Sequence, residues 1–272
     1  MTGKAKTGFV GAGNMATALI KGLIQSGVYS RDQLMASDRE QEALDGMSSQ
    51  FGIKSLSSNR ELVRKCSIVV LSVKPQNMGD VLADIKGEVR ADHLFISIAA
   101  GIPLSMIHDI IGKDIPLIRV MPNTPALVQK GVSALAGSNL AGPEHMAAAR
   151  TIFDAVGETV EVQEPMMDAV TAVSGSGPGY VFRIMECMVD AGVSAGLERE
   201  TSLRLVIQTF LGSAHLAKES EDSLSTLREK VTSPGGTTAE GLATFEKMGI
   251  EEMTKKAVEA ARDRSVELGK EL

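Results

Sequence analysis

Two glycine-rich segments have the residue types and spacing that chemistry on phosphates or small anions needs. The first is Gly11-Ala12-Gly13-Asn14-Met15-Ala16. It follows the apolar Gly8-Phe9-Val10 and precedes Leu19, Ile20, Leu23 and Ile24 at helical spacing. A strand, a glycine turn and a helix start in this order form a dinucleotide fingerprint. Gly11 permits the tight turn, and Gly13 lets the backbone approach a pyrophosphate. Free N–H groups at the helix start face its charge. Ala16 stands where a third glycine is common, a replacement the fingerprint accepts. The plain alternative is an ordinary glycine turn in another α/β protein.

The second segment is Ser233-Pro234-Gly235-Gly236-Thr237-Thr238. Two glycines free the backbone to wrap an anion, and a following helix start adds donors. Such a nest suits the carboxylate of a small amino-acid-like substrate. The hydroxyls of Thr237 and Thr238 can pair with an imine or amine nitrogen. A loop-to-helix cap is the simpler reading.

The residues after the second strand should choose the cofactor. An acidic residue there binds a ribose 2′-OH and a basic one accepts a 2′-phosphate. The chain offers both, Asp38 and Arg39, after Ser37. Asp38 favours NADH and Arg39 NADPH, so the sequence leaves NADPH or NADH open.

The elements that must position these groups alternate in the first half. Strands are expected at Gly8–Val10, Leu34–Ala36, Ser67–Val73, Leu94–Ile98 and Pro116–Met121. Helices are expected from Ala16 to Ser26 with Gly27 as cap, up to about Gln50, around Val81, Leu82 and Ile85, and over Leu104–Ile111. This order predicts an α/β fold with a doubly wound parallel sheet and right-handed crossovers. Val73-Lys74-Pro75 and Ala99-Ala100-Gly101 then fall at strand C-termini, where open sheets bind ligands. The Lys74 side chain reads equally well as a solvated strand-end charge.

From Glu164-Pro165 onward the periodicity is helical, with long helices over Tyr180–Gly196, Thr201–Lys218 and Glu251–Leu272. Val181, Ile184, Met185, Met188 and Val189 share one face of the first. The expected domains are residues 1–164, dinucleotide-binding, and residues 165–272, all helical. Ser174 to Gly179 opens the second domain's long helix, with a cap as the safer reading.

Composition narrows the class. Of 272 residues, 43% are hydrophobic and 23% charged, enough for a buried core. A net charge of −6 argues against nucleic acid as the main partner. Cys66 and Cys187 form no CxxC pair, and the four histidines lack metal-ligand spacing, so no metal is expected. No leader or long apolar span is visible, which predicts a cytoplasmic enzyme that avoids membranes.

Five blocks name a family. They are SVKPQ (Ser72 to Gln76), SIAAGI (Ser97 to Ile102), RVMPNTPALV (Arg119 to Val128), AVTAVSGSGPGYVF (Ala169 to Phe182) and VTSPGGTTAEGLATFE (Val231 to Glu246). In this order and spacing the chain closely resembles pyrroline-5-carboxylate reductases over essentially its whole length. The resemblance implies hydride transfer from NAD(P)H to the cyclic imine 1-pyrroline-5-carboxylate, giving L-proline. It places Thr238 on the ring nitrogen as the one catalytic residue. The Ser233 to Thr237 backbone, with Gly235 and Gly236, would hold the carboxylate, and Glu164 would lie near the substrate.

Expected cofactor contacts are Val10, Gly11, Ala12, Gly13, Asn14 and Met15 at the first strand end, then Ser37, Asp38, Arg39 and Asn59. Ser72, Val73, Lys74 and Pro75 follow, then Ile98, Ala99, Ala100 and Asn123. The family forms homodimers with interleaved helical domains, often built into larger rings, which would put the site between subunits. Two alternatives stand beside this reading. A β-hydroxyacid dehydrogenase would need a lysine opening the second domain, and none occurs between Pro165 and Thr201. A non-catalytic NAD(P)-binding sensor would have no use for the Ser233–Thr238 nest.

Overall fold

The computed structural model describes residues 6–270. Eight strands form one sheet in the order β3-β2-β1-β4-β5-β6-β7-β8. They are β1 Thr7–Val10, β2 Leu34–Ser37, β3 Lys54–Leu56, β4 Ile68–Leu71, β5 Leu94–Ser97, β6 Leu117–Met121, β7 Gly131–Gly137 and β8 Gly157–Glu161. The helices interleaved with them are α1 Asn14–Gln25, α2 Gln41–Phe51, α3 Asn59–Lys65, α4 Met78–Ile85, α5 Leu104–Ile111 and α6 Pro143–Phe153. The strands β1 to β6 are parallel, as their apolar runs predict. Every residue of β1, β2, β4 and β5 is buried, because helices cover both faces.

Two strands beyond those expected extend the parallel sheet past β6. The strand β7 pairs antiparallel with β6, and β8 then pairs parallel with β7. The reversal follows a 3-10 turn over Thr124–Val128, after which Gln129 takes a left-handed φ of 58°. Two apolar layers flank the sheet. Leu19, Ile20, Leu23, Ile152 and Phe153 pack on one face. Leu62, Leu82, Ile85 and Ile107 pack on the other.

Beyond β8 come α7 Met167–Val170, α8 Gly177–Ser194, α9 Arg199–Glu219, α10 Leu224–Lys230, α11 Thr237–Lys247 and α12 Ile250–Lys270. Leu272, the expected end of α12, lies outside the described residues. The chain divides into two compact units, Met1–Ser176 with Ala260–Leu272 and Gly177–Glu259. The first holds the sheet and its cores. The second buries only Val189, Ser202 and Val206 among its residues. The apolar face expected on α8 is therefore mostly uncovered: Ile184 is 50% exposed, Val181 39% and Met188 40%.

Candidate active site

The order of the first six strands reverses between β1 and β4, the switch point where an open sheet leaves a crevice. A cavity of ≈ 400 Å³ opens there. Gly11, Ala12 and Gly13 form one wall, Ser37, Asp38 and Arg39 another, and Ser72, Val73 and Lys74 a third, with Asn59 at the side. Three bonds fix the glycine turn. The Gly11 N–H donates to the Ser37 carbonyl at 2.7 Å. The Ser72 hydroxyl donates to the Gly11 carbonyl at 2.7 Å. The Ala12 N–H donates to Asp38 Oδ2 at 2.7 Å.

Glycine is required at Gly11. Its φ is +101°, and a Cβ would lie 2.7 Å from the Ser72 carbonyl oxygen. Gly13, the N-cap of α1, has open space where its Cβ would be, and no side chain caps the helix. The N–H groups of the first turn thus remain available to an anion. This cradle fits a dinucleotide pyrophosphate.

Both oxygens of Asp38 are engaged, since Oδ1 accepts the Glu40 N–H at 3.0 Å. Asn59 Oδ1 accepts the Ser37 hydroxyl at 2.8 Å, leaving its amide donors for other partners. A second polar basin adjoins the first through Asp38, Arg39 and Asn59 and adds Ser57, Ser58 and Arg60. Arg60 is held there by Asp84, with Nε 2.8 Å from Oδ1.

Other expected contacts sit outside this cavity. Val10 is fully buried within β1, Asn14 and Met15 lie in the first turn of α1, and Pro75 starts a 3-10 turn. Ile98, Ala99 and Ala100 follow β5, where the Ile98 N–H donates to the Leu71 carbonyl at 3.1 Å. Asn123, after β6, accepts the Val132 N–H at 3.0 Å and points its amide at the Ser174 hydroxyl, 3.4 Å away. Ser174 belongs to a π turn over Thr171–Gly175. Such widened turns recur at functional sites. The Glu164 Oε1 accepts the Leu104 N–H at 2.7 Å, at the start of α5.

Sequence reasoning passed over Arg119, a guanidinium only 8% exposed in the middle of β6. Glu164 lies 3.8 Å from it and Asp168 3.9 Å. Burial lowers its pKa from the ordinary arginine value, and Asp168 and then Glu164 oppose that shift. A lone cation within an apolar strand was the available signal. Asn77 and Val81, also unexpected, line the main cavity from the start of α4.

The second unit holds the Ser233–Thr238 segment. The Gly236 N–H donates to the Ser233 carbonyl at 3.0 Å, with Gly235 at φ +67°. Proline second and a left-handed glycine third make this a type II turn. Gly236 is the N-cap of α11, without a side-chain cap, so Thr237 and Thr238 start the helix exposed with open N–H groups.

Residues 164–268 match the family model described as pyrroline-5-carboxylate reductase dimerisation, and residues 6–101 match NADP oxidoreductase, coenzyme F420-dependent. The chain is 42% identical to a pyrroline-5-carboxylate reductase of Methanosarcina acetivorans, covering 97% of this chain and 98% of that one. The chain belongs to the pyrroline-5-carboxylate reductase family. Two solved members share its fold. A pyrroline-5-carboxylate reductase of Coxiella burnetii superposes with a TM-score of 0.93 at 35% identity, over 98% of this chain and 99% of that one. A pyrroline carboxylate reductase of Plasmodium falciparum, with NADP bound, gives 0.88 at 35% identity over 98% of both chains. Family membership makes the open turn of α11 the segment to explain chemically, since a cofactor cleft alone leaves the substrate undefined.

Proposed function

We propose that this chain reduces 1-pyrroline-5-carboxylate to L-proline, taking a hydride from NADPH or NADH. The observation that carries the reading is the Ser233–Gly236 turn opening into α11, an anion nest ahead of two threonine hydroxyls in a member of this family. The backbone from Ser233 to Thr237, through Gly235 and Gly236, holds the substrate carboxylate. Thr238 pairs with the ring nitrogen and aligns the imine. The C=N π bond is lost as the carbon gains a hydride and the nitrogen a proton. The nicotinamide supplies that hydride. Thr238 passes the proton from water to nitrogen, or holds the nitrogen already protonated. Glu164 lies at the edge of the substrate site.

The cofactor contacts are Gly11 to Met15 beside Val10, the Ser37–Arg39 corner with Asn59, and the strand ends Ser72–Pro75 and Ile98–Ala100, with Asn123. NADPH is the preferred form. The Asp38 carboxylate is already committed to backbone N–H groups, whereas Arg39 and Arg60 line the adjoining polar basin, where a 2′-phosphate would find charged donors.

The working assembly is a homodimer, a unit for larger rings. Phe182, Leu205, Leu211 and Leu216 on α8 and α9 are each more than half exposed, and such faces call for a cover. Residues 1–164 serve as the dinucleotide module, and residues 165–272 as the substrate and dimer module. The enzyme acts in the cytoplasm, where free Cys66 and Cys187 stay reduced.

The test follows absorbance of NADPH, and separately NADH, while 1-pyrroline-5-carboxylate is added. Oxidation with proline formed, faster with NADPH, is expected. Cofactor binding without oxidation would overturn the substrate assignment.

A further inference from the structure

The loop between β5 and α5, residues 98–103, is held in its middle and at its C-terminal end by groups that lead to the C-terminal helix. In the middle Gly101, buried at φ +75°, meets Gly269 backbone to backbone. A Cβ on Gly269 would lie 2.7 Å from the Gly101 carbonyl oxygen, closer than any real contact allows. At the C-terminal end the Leu104 N–H donates to Glu164 Oε1. Pro103, the N-cap of α5, has no side-chain oxygen to do this itself.

Glu164 faces the Arg119 guanidinium at 3.8 Å, and Arg119 faces Asp168 at 3.9 Å. These distances permit ion pairing but not hydrogen bonding. Asp168 Oδ1 in turn accepts the hydroxyl of Ser265 at 2.7 Å. Ser265 is the only buried residue of α12 among those described. The last turns of α12 therefore reach the loop by two routes, one through packed backbone and one through a carboxylate–guanidinium–carboxylate chain.

We propose that the end of α12 positions the cofactor loop, with Gly269, Ser265 and Arg119 as positioning residues. Helices disfavour glycine, so its presence where a Cβ would strike the loop is explained by that close approach. The assignment rests on the reading of Ile98 to Ala100 as cofactor contacts.

The experiment titrates NADPH into the full chain by fluorescence and measures the KM of the imine, for wild type, Gly269→Ala, Ser265→Ala and Ser265→Thr. Alanine improves helix propensity, so weakened binding in Gly269→Ala cannot come from a poorer helix. The Kd for NADPH rises about 10-fold in Gly269→Ala. In Ser265→Ala, losing one hydrogen bond raises it about 5-fold. Ser265→Thr restores it, and the imine KM stays within about two-fold throughout. An NADPH Kd unchanged in both alanine variants, or an imine KM rising equally, overturns the proposal. If Gly269→Ala does not fold, the Ser265 pair decides by the same criteria. A wild type that binds no NADPH overturns the cofactor reading instead.

Discussion

One carboxylate oxygen of Asp38 accepts the backbone N–H of Ala12 at 2.7 Å, tying the end of β2 to the glycine turn after β1. An acid used this way shapes the turn, and in the proposed reading discrimination between cofactors falls to its neighbour. Arg39→Ala should therefore raise the KM for NADPH at least 10-fold, as expected for losing a charge-assisted bond of about 1.5–3 kcal/mol. The KM for NADH should change less than about two-fold. Initial rates with both cofactors check this, and equal losses would remove Arg39 from the discrimination.

Thr238 is exposed in the first turn of α11. Thr238→Ala should cut kcat about 10-fold or more while NADPH affinity stays constant, and Thr238→Ser should keep most turnover. Steady-state kinetics beside a binding titration separate the two effects. A full rate in the alanine variant would exclude the nitrogen partnership.

His93, fully buried ahead of β5, accepts the Arg90 N–H on Nδ1 at 3.1 Å. Burial lowers its pKa below the ordinary 6.5, nearby Arg90 adds to this, and Asp92 opposes. Below about pH 6.5 the unfolded chain binds a proton on this ring more readily than the folded chain does. Stability must fall with pH there, by at most about 1.4 kcal/mol per unit. His93→Asn keeps an acceptor for Arg90 and should flatten this slope. Urea unfolding at pH 7.5 and 5.5 compares them, and identical slopes would refute the assignment.

Leu211 on α9 is 60% exposed within one chain. Leu211→Asp puts a charge into the face assigned to the dimer and should shift the protein toward monomers. Light scattering after size exclusion reads this directly, and an unchanged dimer would place the interface elsewhere.

The sheet was legible because its strands are apolar on both faces and end at turn residues. Leu104–Ile111 appears as a helix with the expected limits. The strand β7 escaped notice because GVSALAG is five-sevenths glycine, alanine and serine, with Val132 its one β-branched residue. The strand β3 is three residues with an exposed lysine, too short for alternation to register. The apolar face of α8 was readable as a face, yet periodicity does not say what covers it. In the candidate site the glycine turns were legible from local chemistry, since positive φ and open helix starts need particular residues. The Arg119 cluster was not, because its partners come from later elements that meet only when the sheet is assembled.

Three buried residues cannot hold α8 to α11 as an independent fold. In the proposed dimer the hydrophobic core missing from that half arrives with a second copy, so acquiring it is a bimolecular event. Refolding of the helices should then slow with dilution, while sheet formation keeps one rate at every concentration. Between those two events the newly made chain carries a sticky, half-finished surface, and the supply of other copies determines how long it lasts.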